Sequence, residues 1–96
     1  MKFEWDIVKS ATNNTKHGID FETAKDLWRD QNRVEIRIRY PDEERFIIVG
    51  KLNNRNWTAV YTTRTDIIRI ISVRRSREKE VQLYENKKYS QDRKGF

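Results

Sequence analysis

Apolar and polar positions alternate most cleanly between Arg33 and Tyr40. Val34, Ile36, Ile38 and Tyr40 fall on one side, and Arg33, Glu35, Arg37 and Arg39 on the other. That period of two predicts a half-buried strand with a charged outer face. Pro41 and Asp42 follow as a turn. Arg45 to Leu52 reads as a second strand, apolar on both faces at Phe46, Ile47, Ile48 and Val49. Asn53, Asn54, Arg55 and Asn56 make the next turn. The most β-prone stretch comes next, from Trp57 to Arg75. Val60, Tyr61, Thr62 and Thr63 form one run, and Ile67, Ile68, Ile70, Ile71 and Val73 another, with Thr65 and Asp66 between them. This is the pattern of a hairpin. Its apolar residues lie on both alternating faces, which predicts central strands covered on both sides.

The flanks switch to helical spacing. Phe3 and Trp5 alternate with Lys2 and Glu4 as a very short strand. Asp6 is placed to cap a first helix over Ile7 to His17, weakened in its middle by Asn13, Asn14 and Thr15 and stopped by Gly18. Asp20 caps a second helix ending near Asp30, with Phe21, Ala24, Leu27 and Trp28 as its apolar stripe. Ile19 and Ala24 are spaced as a hydrophobic staple. Ser76 is positioned to cap a final helix, with Glu78 and Glu80 in its early turns and Val81 and Tyr84 to dock on the sheet. Lys87 to Phe96 is polar and basic and is expected to fray. Short connections join the strands, so the expectation is a single α+β domain spanning residues 1–96. It has two N-terminal helices, a four-stranded antiparallel meander sheet and a C-terminal helix.

Charge changes this picture more than size does. The chain has 96 residues, 21 basic against 15 acidic, for a net charge of +6. A polyanion or an acidic partner is the implied counterpart. Charged residues at 38 % outnumber hydrophobic ones at 35 %, so the core is modest and stability marginal or aided by a partner. With no cysteine and one histidine, there is no disulfide framework and no Cys or His metal cluster. Three scattered glycines make no phosphate loop, and no nucleophile elbow is present. No metal or cofactor is expected. No apolar run approaches the roughly 20 residues of a membrane span. The start MKFEWD lacks an apolar signal core, so a cytoplasmic location is expected.

What remains as chemistry is a set of arginines and lysines on an aromatic-bearing sheet. Such a set binds phosphate and stabilises a phosphoryl transition state. A two-residue turn at Thr65 and Asp66 pairs Arg64 with Ile67 and Thr62 with Arg69. Arg64, Thr62 and Arg69 then share one face, and Trp57, Tyr61, Ser72 and Arg74 the other. A three-residue loop would change that assignment. Each residue also has a plainer reading. Arg64 is a solvated turn residue. Arg69 pairs with a carboxylate such as Asp66 or one on a neighbouring strand. Arg33, Arg37 and Arg39 form a solvated face or meet an acidic partner. His17 caps a helix C-terminus. Trp5, Phe21 and Trp28 are core, and Tyr84 packs.

Several short motifs occur together. Phe3, Trp5, Asp6 and Lys9 are followed by Asn13, Lys16, His17, Gly18 and Ala24 in F-E-W-D-x-x-K and N-x-x-K-H-G-I-D-F-E-x-A. Then come Glu44-Arg45, Val60-Tyr61-Thr62 with Arg64, Arg69-Ile70-Ile71-Ser72 with Val73-Arg74-Arg75, and Glu80 with Tyr84. In this order and spacing they resemble the BrnT family of bacterial type II toxins, over about residues 3 to 84. Val73 stands where the family has alanine, and Val81 where arginine or lysine is common. The resemblance implies a RelE-like fold and a ribonuclease that shuts down translation. It also implies a BrnA-like antitoxin, which carries a DNA-binding domain. That antitoxin neutralises the toxin in a hetero-oligomer, and operator DNA is reached only through it.

For RNA cleavage by its own 2′-hydroxyl, Arg64, Arg69 and Arg74 suit the stabilisation of phosphorane charge. His17 comes first for acid–base work, with Tyr84 or Lys51 as alternatives if strongly perturbed. Tyr61 or Trp57 would stack a base, and Lys16, Lys51 and Arg75 would contact RNA. Two other classes fit the same residues: a nucleic-acid-binding module without catalysis, and a module whose basic face only docks an acidic partner.

Overall fold

A computed structural model describes residues 1–39 and 41–94. The elements are β1 (Lys2–Glu4), α1 (Ile7–His17), α2 (Phe21–Ala24) running into a 3₁₀ helix (Lys25–Arg29), β2 (Val34–Arg39), β3 (Glu44–Leu52), β4 (Arg55–Arg64), β5 (Ile67–Arg75) and α3 (Glu78–Lys94). The α+β class and the antiparallel β2–β5 meander agree with expectation. The sheet differs in detail: it has five strands in the order β1-β5-β4-β3-β2. β1 adds to β5 in parallel, Phe3 opposite Ile68 and Glu4 opposite Arg69. A three-residue strand carries too little pattern to announce its partner. The second helix is likewise not one α-helix but a single α-turn followed by a 3₁₀ segment. Among the described residues no helix is long and apolar enough to cross a membrane. Tyr40, expected to end the first long strand, lies outside the described residues. α3 runs through much of the segment expected to fray, and Gly95 and Phe96 lie outside the described residues.

The local signals act as read. The Asp6 side chain accepts from the Val8 and Lys9 amides, and Asp20 from Thr23. Gly18 closes α1 at φ 76°, a left-handed conformation that favours glycine, with its N–H donating to Asn14 O. The weak centre of α1 has a tertiary reason. Asn13 is buried, and its amide hydrogen-bonds both backbone groups of Val73, donating to the carbonyl at 2.9 Å and accepting from the N–H at 3.1 Å. The same Nδ2 donates to Ile19 O at 2.8 Å. One side chain thus pairs Val73, on the part of the β5 edge that β1 does not reach.

Helices and sheet meet on one face. Phe21, Ala24, Leu27 and Trp28 pack on Ile48, Ala59, Tyr61, Ile70 and Val73. Trp28 sits edge-on between Phe3 and Tyr61. At Gly50 a Cβ would stand 3.0 Å from Leu27 Cδ2 and 3.4 Å from Leu27 O, so a larger residue there would require Leu27 to give way by a few tenths of an ångström.

The opposite face is covered only in part, by α3 packing on β2 and β3. Val49 and Thr58 are fully buried there, whereas Ile36, Ile38, Ile47, Val60 and Ile71 remain half-exposed. The expected cover on both sides is therefore complete at one end of the sheet only. α3 starts at Glu78, so Ser76 is not its cap. Its hydroxyl instead meets Thr58 Oγ1 at 2.8 Å, and Glu80 reaches back to the Arg77 amide. The carboxylate three residues along thus takes over part of the capping.

Candidate functional site

The β4–β5 hairpin turns at Thr65 and Asp66, with Arg64 opposite Ile67 and Thr62 opposite Arg69. Thr65 takes a positive φ of 54°, as such tight turns require. Thr62, Arg64 and Arg69 therefore share the open face, as the pairing predicted. The register then shifts. Tyr61 pairs with Ile70 but Val60 with Ser72, so Ile71 is an extra residue in β5. This bulge inverts every later side chain on the strand. Arg74 pairs with Thr58, and it and Ser72 lie on the same face as Arg64 and Arg69. The expected grouping of Ser72 and Arg74 with Trp57 and Tyr61 is thereby corrected.

At the hairpin end, Lys9 from α1, Arg45 from β3, Thr62 and Arg64 from β4, and Arg69 and Ile71 from β5 line one concavity, rimmed by Glu43 and Glu44. Arg64 is exposed and makes no hydrogen bond or ion pair among the described residues. Arg69 bonds Glu4 on β1 at 3.3 Å, the neighbouring-strand pairing envisaged for it. Arg45 pairs with Glu43 at 2.6 Å, and Thr62 Oγ1 donates to the Glu44 carbonyl at 2.8 Å.

Arg74 lies at the far end, roughly 13 Å along the strand from the Thr62–Arg69 pair at the usual rise per residue. Its guanidinium forks onto Glu80, Nη1 to Oε1 at 2.7 Å and Nη2 to Oε2 at 2.8 Å. Thr58 Oγ1 and the Arg77 amide also donate to that carboxylate, at 3.0 and 2.8 Å. The Arg74 bonds, followed by those from Arg77 and Thr58, outweigh the cost of burial and hold the Glu80 carboxyl down at about 2. The same contact raises Arg74.

The other predicted residues are scattered. Tyr84 is 2 % exposed and donates to Asp30 Oδ2 at 2.7 Å, and that oxygen also accepts from the Lys51 amide at 2.9 Å. Burial, and next the Asp30 bond, push the Tyr84 hydroxyl well above its ordinary range. Tyr61 is buried, donates to Glu35, and is raised by burial first and then by that carboxylate. Trp57 is buried too, with the Arg75 guanidinium 5.4 Å from its ring centre. Neither ring presents a face for a base. Lys51 is half-exposed at the end of β3, and Lys16 and His17 are exposed at the end of α1. His17 lies eight positions beyond Lys9, roughly 12 Å along the helix axis. The sequence reading passed over Lys9 and Arg45 as site residues. Both stand in the quoted motifs, but only the fold shows that they face the same hollow. Among the described residues no three His, Cys, Asp or Glu side chains form a metal-binding group.

An open sheet face with a hollow lined largely by cations at one end marks a small basic α+β protein. The family model described as ribonuclease toxin, BrnT, of type II toxin-antitoxin system matches residues 5–80. The chain belongs to that family, and is thus a ribonuclease toxin of a type II toxin–antitoxin system with an antitoxin as partner. No curated protein matches the chain.

Proposed function

We propose that the chain cleaves RNA without a metal ion, inhibits translation thereby, and is neutralised by a BrnA-like antitoxin bound over the open sheet face in the cytoplasm. The observation that carries this is Arg64, a cation without a partner among the described residues, on one face with Arg69 and Thr62. In the reaction the RNA 2′-oxygen attacks the adjacent phosphorus, its proton leaving to a base. The bond to the 5′-oxygen breaks, and that oxygen takes up a proton. The products are a cyclic 2′,3′-phosphate and a 5′-hydroxyl. The phosphorane carries one more negative charge than the ground state, and fixed cations lower its energy selectively. Arg64 and Arg69 supply that charge, Arg69 exchanging Glu4 for a phosphate oxygen. Lys9 and Arg45 extend the positive lining to the flanking phosphates. Arg74 acts at the other end of the face, where its bonds to Glu80 fix the start of α3. His17 remains the first residue to test for proton transfer, as the chain's one imidazole. The hydrogen bond to Asp30 suits Tyr84 to positioning the 3₁₀ segment.

The test is incubation of antitoxin-free protein with a defined RNA in excess EDTA, beside Arg64→Ala. Cleavage by the parent and its loss in the variant support the proposal. A native-gel shift without cleavage returns the chain to the binding-module reading, and equal cleavage by both proteins removes Arg64 from the site.

A further inference from the structure

The hollow at the hairpin end holds cations for a phosphate, but attack by the 2′-oxygen also needs a group that takes its proton. The 2′-hydroxyl neighbours the phosphate it attacks, so that group must sit beside the phosphate-binding cations. Lys9, Arg45, Arg64 and Arg69 line the hollow, and ammonium and guanidinium groups carry donors with no acceptor. The Thr62 hydroxyl is engaged with the Glu44 carbonyl at 2.8 Å. His17 lies roughly 12 Å further along α1 than Lys9. Two carboxylates remain, Glu43 and Glu44. The Glu44 carboxylate is bonded to Arg37, which opposes Phe46 of the helix-covered core. Glu43 is different. Its Oε1 accepts from Arg45 Nε at 2.6 Å, with its side chain 46 % exposed. An ionised carboxylate has acceptor sites on two oxygens, so one N–H bond leaves capacity for a substrate hydroxyl. The β3–β4 register, continued from Phe46 opposite Tyr61, sets Arg45 opposite Thr62 and brings the chain at Glu43 alongside Arg64. Arg69 stands opposite Thr62 on the other side. A carboxylate and the two proposed phosphate-binding arginines therefore border one hollow.

We propose that Glu43 is the catalytic base of the RNA cleavage proposed above, an assignment that rests on that reaction. As the 2′-oxygen bonds to phosphorus, its proton passes to the Glu43 carboxylate. The bond from phosphorus to the 5′-oxygen breaks, and that oxygen takes a proton from water. Glu43 then gives up its proton to solvent. Arg45 holds the carboxylate in place through a charge-assisted hydrogen bond.

The test is steady-state cleavage of a defined RNA in excess EDTA by antitoxin-free protein, beside Glu43→Gln, Glu43→Asp and Glu22→Gln. Glu22 pairs with Lys25 on α2, across the sheet from the hollow, and its variant makes the same change of charge. Glu43→Gln should lower kcat by about 10²–10⁴, the usual worth of a general base. Its KM should stay level or fall, since an anion has left a site that binds a polyanion. Glu43→Asp keeps a carboxylate and should recover part of the lost rate, and Glu22→Gln should cleave as the parent does. All should keep the parent's circular dichroism. If Glu43 serves only to hold Arg45 for RNA binding, Glu43→Gln raises KM and leaves kcat unchanged, which overturns the proposal. Equal kcat in parent and Glu43→Gln, or a Glu43→Asp no faster than Glu43→Gln, overturns it too while the reaction stands. A parent that cleaves no RNA in EDTA overturns the reaction, and the assignment of a base with it.

Discussion

Arg64 and Arg74 lie on one face of the same β4–β5 ribbon, yet one has no partner among the described residues and the other is gripped by Glu80. Position on the sheet decides the difference. Arg74 lies where α3 covers the sheet, among half-buried polar groups that need satisfaction. Arg64 sits past the end of that cover, where water can solvate it. The same guanidinium therefore serves the fold at one end and is free for a ligand at the other. Substitutions at the two ends should separate stability from activity.

The sharpest separation is expected at the open end. Arg64→Ala should lower the RNA cleavage rate by about 10²–10³, the scale of one lost transition-state donor. Thermal unfolding should shift little, as for an exposed surface change. A variant that loses stability along with activity would break the comparison. At the closed end, Glu80→Gln should cost roughly 2–4 kcal/mol of stability, because a half-buried Arg74 loses its counter-charge. Denaturant titration measures this.

The same carboxylate sets a pH dependence. Its folded value is about 2 against an ordinary 4.5, so its contribution is fully present above about pH 4.5 and is lost as pH falls toward 2. Over that window the parent should lose about 3 kcal/mol more than Glu80→Gln, which lacks the titrating group. Parallel acid limbs in the two proteins would show that Arg74 does not hold the charge. The smallest effect is expected at Tyr84→Phe, which deletes one hydrogen bond to Asp30 while the Lys51 amide keeps that oxygen satisfied. About 1 kcal/mol of stability should go, with the cleavage rate unchanged. A large fall in rate would bring Tyr84 back as a catalytic residue.

Much of this molecule is written in local chemistry. Asp6, Gly18 and Asp20 announce the helix ends because capping depends on a few adjacent atoms. The strands from β2 to β5 follow from alternation and short turns. The two-residue turn was enough to place Arg64 with Thr62 and Arg69. What local patterns do not contain is the extra residue at Ile71. One isoleucine among five neighbouring β-branched or charged positions gives no sign that it is unpaired, and it moves Arg74 across the sheet. The burial of Trp57 and Tyr61 was equally hidden, since an aromatic on a strand suits a core and a stacking platform alike. Lys9 comes to the hollow that Arg69 lines only through the packing of α1 along β5, a contact between distant parts of the chain.

The Asn13 amide bears on assembly as well as folding. With β1 covering Ile67 to Arg69 and Asn13 covering Val73, the β5 side of the sheet ends in a three-residue strand and a single side chain. Neither offers a template long enough for another chain to extend. Among the described residues, extension of the sheet by another chain is therefore left to the β2 edge.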